Sequence, residues 1–328
     1  MRQVLVAAAL AAASACHHEA AAPVGPAPVA NNVAPAAPHR AVSDLQLLPV
    51  DADMVVGIDF AQLQHSALWQ TYVAPRLGTI PGLDKFLAVC GFDPLSSLES
   101  VVLGVGHLDD PEPVGRVVLH GYDHKRAMSC FDKEVGDAEK DGSKITIDGE
   151  VVRITDSSGK HVAFTFVDAT TAVLVFGPDA ARLDKVQHIA GGEDGGLDGS
   201  AAFRELYGTI DTHRSLWMLV NGNAPAVAKG IAPLGVHLKA LFGSVQISSG
   251  LDADVRVRMA SPEEATTLTT MMKGQVGNPQ VQQFFTKFEV SSDNADVKML
   301  VAMSDQNIAQ FAAVLGLVGN LGGGSGQP

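Results

Sequence analysis

The stretch HGYDH places His120, Asp123 and His124 close together in the chain. Two imidazoles and a carboxylate are zinc ligands by type, but a zinc site needs a third or fourth ligand at tetrahedral spacing. His120 falls in a valine-rich strand pattern and Gly121 breaks the run, so these residues need not share a face. They read as strand-end polar residues. HLDDPEP (107–113) gathers Asp109, Asp110 and Glu112 in an acidic turn. A calcium loop alternates oxygen ligands around a sharp glycine turn; proline stands there instead, and the segment reads as a solvated loop. GVGHLD lacks the third glycine and the following helix of a dinucleotide loop, and no Walker lysine, GxSxG or HExxH motif occurs. His237 reads as a core histidine. The residues call for no metal, no cofactor and no catalytic set.

Three cysteines remain to be explained: Cys16, Cys90 and Cys130. Arg2, the apolar run Val4–Ala13 and the small residues Ala13-Ser14-Ala15 form the tripartite pattern of an export signal. The run is shorter than the roughly 20 apolar residues needed to span a bilayer. Cleavage after Ala15 fits an ordinary signal peptidase. Ala13-Ser14-Ala15-Cys16 also resembles a bacterial lipobox, with Ala13 where leucine is usual, and makes Cys16 the candidate lipidation site. His17 and His18 point apart on an extended chain and read as polar residues beside a membrane. Residues 20–41 are almost wholly Ala, Pro, Val, Asn and Gly; such a segment buries too little to offset its ordering entropy and suits a tether. In an oxidising compartment Cys90 and Cys130 form either a disulfide or two separately buried thiols.

The formal net charge is −13 over 328 residues. With no basic stripe to displace counterions, the balance argues against nucleic acid. The expected partners are a membrane, through the lipid anchor, and an unidentified protein or apolar small molecule. The expected location is the bacterial cell envelope, lipid-anchored, with a soluble periplasmic or secreted form as the alternative. Hydrophobic residues make up 46% of the chain, enough for a large core.

The order of elements suggests a duplication. Strand signals at 53–59, 100–106 and 115–122 precede a helix from His124 to Val135, a hairpin at 144–156 turning on Asp148-Gly149, a second strand pair through 161–177 and a helix at 178–189. The second half runs a strand at 215–221, a strand pair at 241–249 and 251–260, a helix capped by Ser261, a strand pair at 288–292 and 295–303, and a helix starting at Ser304. Phe60 to Leu77 reads as helical, as does Leu83 to Val89. The final apolar helix, Ile308 to Leu321, is too short to span a membrane. The expected fold is α+β: two pseudo-repeated lobes, each an antiparallel sheet with helices packed on one face. The divisions are a signal peptide (1–15), an Ala/Pro-rich tether (16–41), a first lobe (42–190), a Gly-rich linker (191–199), a second lobe (200–319) and a flexible tail (320–328).

LLPVDADMVVGIDFAQLQHSALWQ (47–70) and GFDPLSSLESVVLGVG (91–106) resemble uncharacterised exported proteins and lipoproteins of myxobacteria and related bacteria. Those families open with a Leu-Pro-x-Asp-Ala stretch, a strand, and a helix carrying Ser and Trp, here Ser66 and Trp69. The resemblance implies an envelope location and an α+β fold; it brings no activity and no catalytic residues.

Three functions follow as expectations. The first is a non-enzymatic binding or structural scaffold, with Trp69, Tyr72 and Trp217 lining an apolar cleft between the lobes. The second is a carrier of a lipid or other apolar ligand, which calls for a continuous cavity lined by residues such as Phe164, Phe166, Met218 and Met271. The third is a hydrolase, which calls for a cleft joining His120 or His124 to buried carboxylates.

Overall fold

The computed structural model describes residues 42–79, 83–138, 142–232 and 235–314. The expected signal peptide, tether and tail, with Cys16, His17 and His18, fall outside them. The valine-rich runs become strands because β-branched side chains pack well on a pleated surface. In chain order these are β1 (Met54–Asp59), β2 (Ser100–Gly106), β3 (Val114–His120), β4 (Lys144–Asp148), β5 (Val151–Thr155), β6 (His161–Phe166), β7 (Thr171–Phe176), β8 (Leu216–Asn221), β9 (Leu238–Ile247), β10 (Gly250–Met259), β11 (Lys287–Asp293) and β12 (Asp296–Ser304).

All of them join one 12-stranded sheet in the order β11-β12-β10-β9-β8-β1-β2-β3-β7-β6-β5-β4. Every neighbouring pair is antiparallel. The expectation of two sheets is corrected here. β1 pairs β8 from Met54↔Val220 to Ile58↔Leu216, and this seam fuses the two halves. The fold is therefore mixed α and β around one large antiparallel sheet.

Helices cover both faces of the sheet, not one. Val55, Val118, Trp217, Leu219 and Phe242 share a core with Leu47, Leu48 and Phe203, from the Asp44–Leu47 and Ala201–Tyr207 helices and their flanks. The same face carries the Leu183–Ala190 helix against Val173 and Val175. Ile58 alternates with Val55, so it points to the other side. There it packs with Phe60, Trp69, Leu77, Leu98, Leu119 and Phe164 under the His124–Ala138 helix. The Pro262–Val276 helix covers the outer end of this second face through Ala265 and Leu268.

Local signals hold with small shifts. Ser261 caps its helix by accepting from the Glu264 amide at 3.2 Å, and Ser304 accepts from the Asn307 amide at 3.2 Å. The long helix expected from Phe60 to Leu77 breaks into an α turn (Phe60–Gln64), a π turn (Trp69–Val73) and a 3₁₀ turn (Ala74–Thr79). The break falls at Ser66: its hydroxyl donates to the Leu63 carbonyl at 2.7 Å and accepts the Trp69 amide at 3.1 Å, restarting the chain there. The β4–β5 loop is Gly149-Glu150, one residue later than expected, because Asp148 pairs with Val151. Only Gly149 has positive φ, 63°, whereas the type I′ turn expected at Asp148-Gly149 requires it at both central residues. The final helix is described as Asp305–Val314.

The Gly-rich stretch 191–199 is packed, not a free spacer. Gly196 bridges Pro49, and a Cβ on Gly196 would lie 2.3 Å from the Gln46 Cα. Asp194 of the same stretch binds Arg116 and Lys185, both at 2.5 Å.

Candidate binding cleft at the seam of the sheet

The seam between β1 and β8 ends in a knot of polar side chains. Asp59 closes β1 and caps the following helix by accepting the Gln62 amide at 2.8 Å. Its second oxygen accepts from Gln62 Nε2 at 2.8 Å, and the same nitrogen donates to the His213 carbonyl at 2.8 Å. Ser215 precedes β8 and is fully buried. Its hydroxyl accepts the Ile247 amide at 3.0 Å and Gln246 Nε2 at 3.1 Å, and it lies 3.2 Å from the Ile247 carbonyl it can donate to. Gln246 Nε2 also donates to Gln62 Oε1 at 3.1 Å. Buried polar groups cost stability unless paired, and here each has its partner. The knot fixes the position of the 59–67 segment against the end of β9, where the Ala67 amide also donates to the Ser248 carbonyl at 3.3 Å.

Beside this knot lies a shallow, wide-open cleft of about 740 Å³. One wall is Asp59, Ala61, Gln62, His65, Ser66 and Ala67; the other is Gln246 to Ser249. The walls come from the two halves of the chain, which is where ligand sites tend to form. His65 is turned to its own segment, with Nδ1 2.6 Å from the Ala61 carbonyl. The lining surface is more apolar than polar, and the amides of Ala67, Ile247 and Ser248 are bonded within the protein.

The sequence-derived candidates fall elsewhere. Trp69 packs edge-on to Phe60 at 6.0 Å in the core beneath the His124–Ala138 helix. Trp217 lies on the opposite face, over Gly57, with its ring 5.4 Å from that of Tyr207. No single cleft can hold both, because the sheet stands between them. Tyr72 is half-buried in the π turn. Phe164 is buried against Phe131 at 5.1 Å, while Met271 is 57% exposed on the outside of its helix. These residues do not line the continuous cavity expected of them. Cys90 and Cys130 are joined by a disulfide that staples the Leu83–Cys90 helix to the His124–Ala138 helix.

The HGYDH residues separate. His120 Nε2 lies 3.0 and 3.1 Å from the Asp44 carboxylate oxygens. Asp123 caps the next helix by accepting the Arg126 amide at 2.8 Å. His124 binds Glu150 and tilts against Phe166 at 4.5 Å. His237, expected in the core, is exposed and pairs with Glu264 at 2.9 Å. Among the described residues no three His, Cys, Asp or Glu side chains gather in a group able to hold a metal ion.

Sequence reasoning missed Gln62, Ser215 and Gln246. Gln62 and Gln246 stand 184 positions apart, and nothing local distinguishes them from solvated polar residues. Among the described residues no helix is long and apolar enough to cross a membrane.

No protein-family model matches the chain, and no curated protein matches its sequence. In fold the chain is similar to solved structures of TP0453. Against crystal form III the TM-score is 0.53 at 9% identity, covering 82% of this chain and 97% of that one. Against crystal form I it is 0.50 at 10% identity, covering 84% and 98%. At such identity the likeness is one of fold: the mixed α and β architecture around the large sheet is shared across nearly the whole of the other chain.

Proposed function

We propose that this protein is exported, lipid-anchored in the bacterial cell envelope through Cys16, and acts there as a non-enzymatic binding scaffold. The observation that carries the binding reading is the seam cleft. It is open, its two walls come from different halves of the chain, and the Gln62–Gln246–Ser215 hydrogen bonds beside it hold those walls together. Satisfied groups hold a shape, which suits binding. The histidines of the hydrolase reading bind Asp44 and Glu150, carboxylates that are not buried and do not line this cleft. The export signal pattern, the Pro-rich segment and the resemblance of residues 47–106 to exported bacterial families support the address.

We also read the two halves as copies of one five-stranded unit. Outward from the seam the strand orders are β1-β2-β3-β7-β6 and β8-β9-β10-β12-β11, with β5 and β4 added at one edge.

A second reading, a carrier of an apolar ligand, has one specific observation in its favour. Met218, Val220, Leu241, Val245, Val255 and Val257 alternate onto one face of the second half and stay half-buried. On the same face of the first half Val101, Leu119, Phe164 and Ala172 are buried. Ile247 belongs to this apolar row and also lines the cleft.

Native mass spectrometry of the protein from its host envelope tests both readings. The expected result is a chain that begins at an acylated Cys16 and retains a noncovalent mass, lost in the cleft-filling variant Ala67→Trp. A lipid as that mass selects the carrier reading. A chain that begins at Met1 without acylation refutes the anchor, and retention unchanged by Ala67→Trp refutes the cleft.

A further inference from the structure

The first residues of the body form a strap, 43–52, laid along the β2–β3 hairpin. β3 presents Arg116, Val118 and His120 to it, every second residue, as a strand must. At one end His120 Nε2 meets the Asp44 carboxylate at 3.0 Å. In the middle Arg116 Nη1 donates to the Leu47 carbonyl at 3.3 Å, and Leu47 and Leu48 are fully buried over Val118. At the other end His107, in the turn after β2, places Nε2 3.0 Å from the Asp51 carboxylate. Thus a histidine–aspartate pair fastens each end, and a permanently charged arginine with two leucines holds the centre.

We propose that residues 43–52 are a pH-sensitive latch, fastened while His107 and His120 are protonated and slackened at both ends when they are neutral. The surroundings of both rings favour the charged form. The hydrogen bond to Asp44 raises the His120 pKa above the ordinary histidine value; burial opposes it, and the charges of Asp44, Asp168 and Glu99 add to the rise. The remaining ring contact is neutral, Thr171 Oγ1 at 3.2 Å from Nδ1. For His107 the hydrogen bond to Asp51 raises the pKa, burial opposes it, and the charges of Asp51 and Asp110 add to the rise. The Arg116 guanidinium is held by Asp194 at 2.5 Å and faces Asp179 at 3.8 Å.

The sign follows from linkage. A histidine whose pKa is raised on folding contributes its full stabilisation below its unfolded value, near 6.5. That contribution is lost as pH rises through the folded value. The latch is therefore tight in mild acid and loose in mild alkali. Each residue released ahead of Leu47 lengthens the connection to residues 1–41 by up to about 3.5 Å. The latch changes how far the body stands from whatever holds the N-terminus, and it exists whether or not Cys16 carries lipid.

Hydrogen exchange of the whole chain, read by mass spectrometry from pH 5.5 to 8.5 and divided by intrinsic exchange rates, tests this. Protection in the 43–52 segment is expected to fall about fivefold with rising pH, the difference between a charged and a neutral hydrogen bond, in step with the NMR titration of His120. The double variant His107→Asn/His120→Gln is expected to give low protection at every pH. Asp44→Asn, which keeps both histidines, is expected to flatten the step at the 43–48 end. Flat protection in the wild type, a step that survives in the double variant, or a step that survives at the 43–48 end in Asp44→Asn, overturns the latch.

Discussion

Gly57 and Trp217 face each other across the seam, and their coupling is open to measurement. A Cβ at residue 57 would lie 2.1 Å from Cε2 and Nε1 of the Trp217 indole and 2.6 Å from Cζ2. Ordinary carbon contacts begin at about 3.5 Å, so Gly57→Ala forces the ring back by more than 1 Å, roughly a third of that contact distance. The ring cannot retreat freely. It is 6% exposed, and Tyr207 stands 5.4 Å behind it, itself stacked on Phe203 at 5.6 Å. Overpacking of this kind costs about 1–3 kcal/mol. Trp217→Ala alone costs about 3–5 kcal/mol through the cavity it leaves. In the double variant the clash is gone, and alanine in a strand interior gains about 0.5–1 kcal/mol over glycine. The double-mutant cycle should therefore show a coupling of about 1.5–4 kcal/mol, the pair being less destabilised than the sum of the singles. Urea unfolding followed by far-ultraviolet circular dichroism reads all four proteins with one probe, since Trp217 is absent from two of them. Additivity within about 0.5 kcal/mol would refute the claim that the tryptophan occupies the glycine's missing side-chain space.

Two further outcomes follow from the pairs that tie the layers together. The Cys90–Cys130 bond spans 40 positions, for which the chain-entropy model gives about 4 kcal/mol of stabilisation. Cys130→Ala, or reduction of the native protein, should lower unfolding free energy by about 2–4 kcal/mol, and a loss under about 1 kcal/mol contradicts the staple. Burial pushes the Asp194 carboxyl up, but the hydrogen bonds from Lys185 and Arg116, with their charges, outweigh it and hold it below the usual carboxylate range. A carboxylate depressed on folding stabilises above its unfolded value, near 3.9, and that stabilisation is lost as pH falls through the folded value. Asp194→Asn should therefore cost most at neutral pH, about 3–5 kcal/mol because Arg116 is left buried without its partner, and the gap to wild type should narrow in acid. A gap independent of pH counts against the pairing.

The local level of this protein was readable from its residues. Valine-rich runs bounded by Gly, Asp and Pro marked the strands, because β-branched side chains and turn residues act within a few positions of themselves. Ser261 and Ser304 marked helix starts for the same reason: a cap bonds three residues ahead. The strand pairs with short turns were readable too, and had to be antiparallel; that β3 lies beside β7 and β10 beside β12 was not.

What the tertiary structure alone decided begins at the seam. The pairing of β1 with β8 turned two expected sheets into one, and a strand pattern does not say which distant strand lies beside it. Alternation likewise gives each strand two faces without saying what will cover either. Trp69 and Trp217 hold comparable places in the chain yet lie on opposite faces, because Ile58 and Val55 alternate across the sheet that separates them. Gln62, Ser215 and Gln246 became a single knot, and Asp44 met His120, through hydrogen bonds between residues far apart in sequence. Such bonds leave no local trace. They exist only where the backbone has already brought the groups within reach, which is a property of the packed sheet and not of any segment within it.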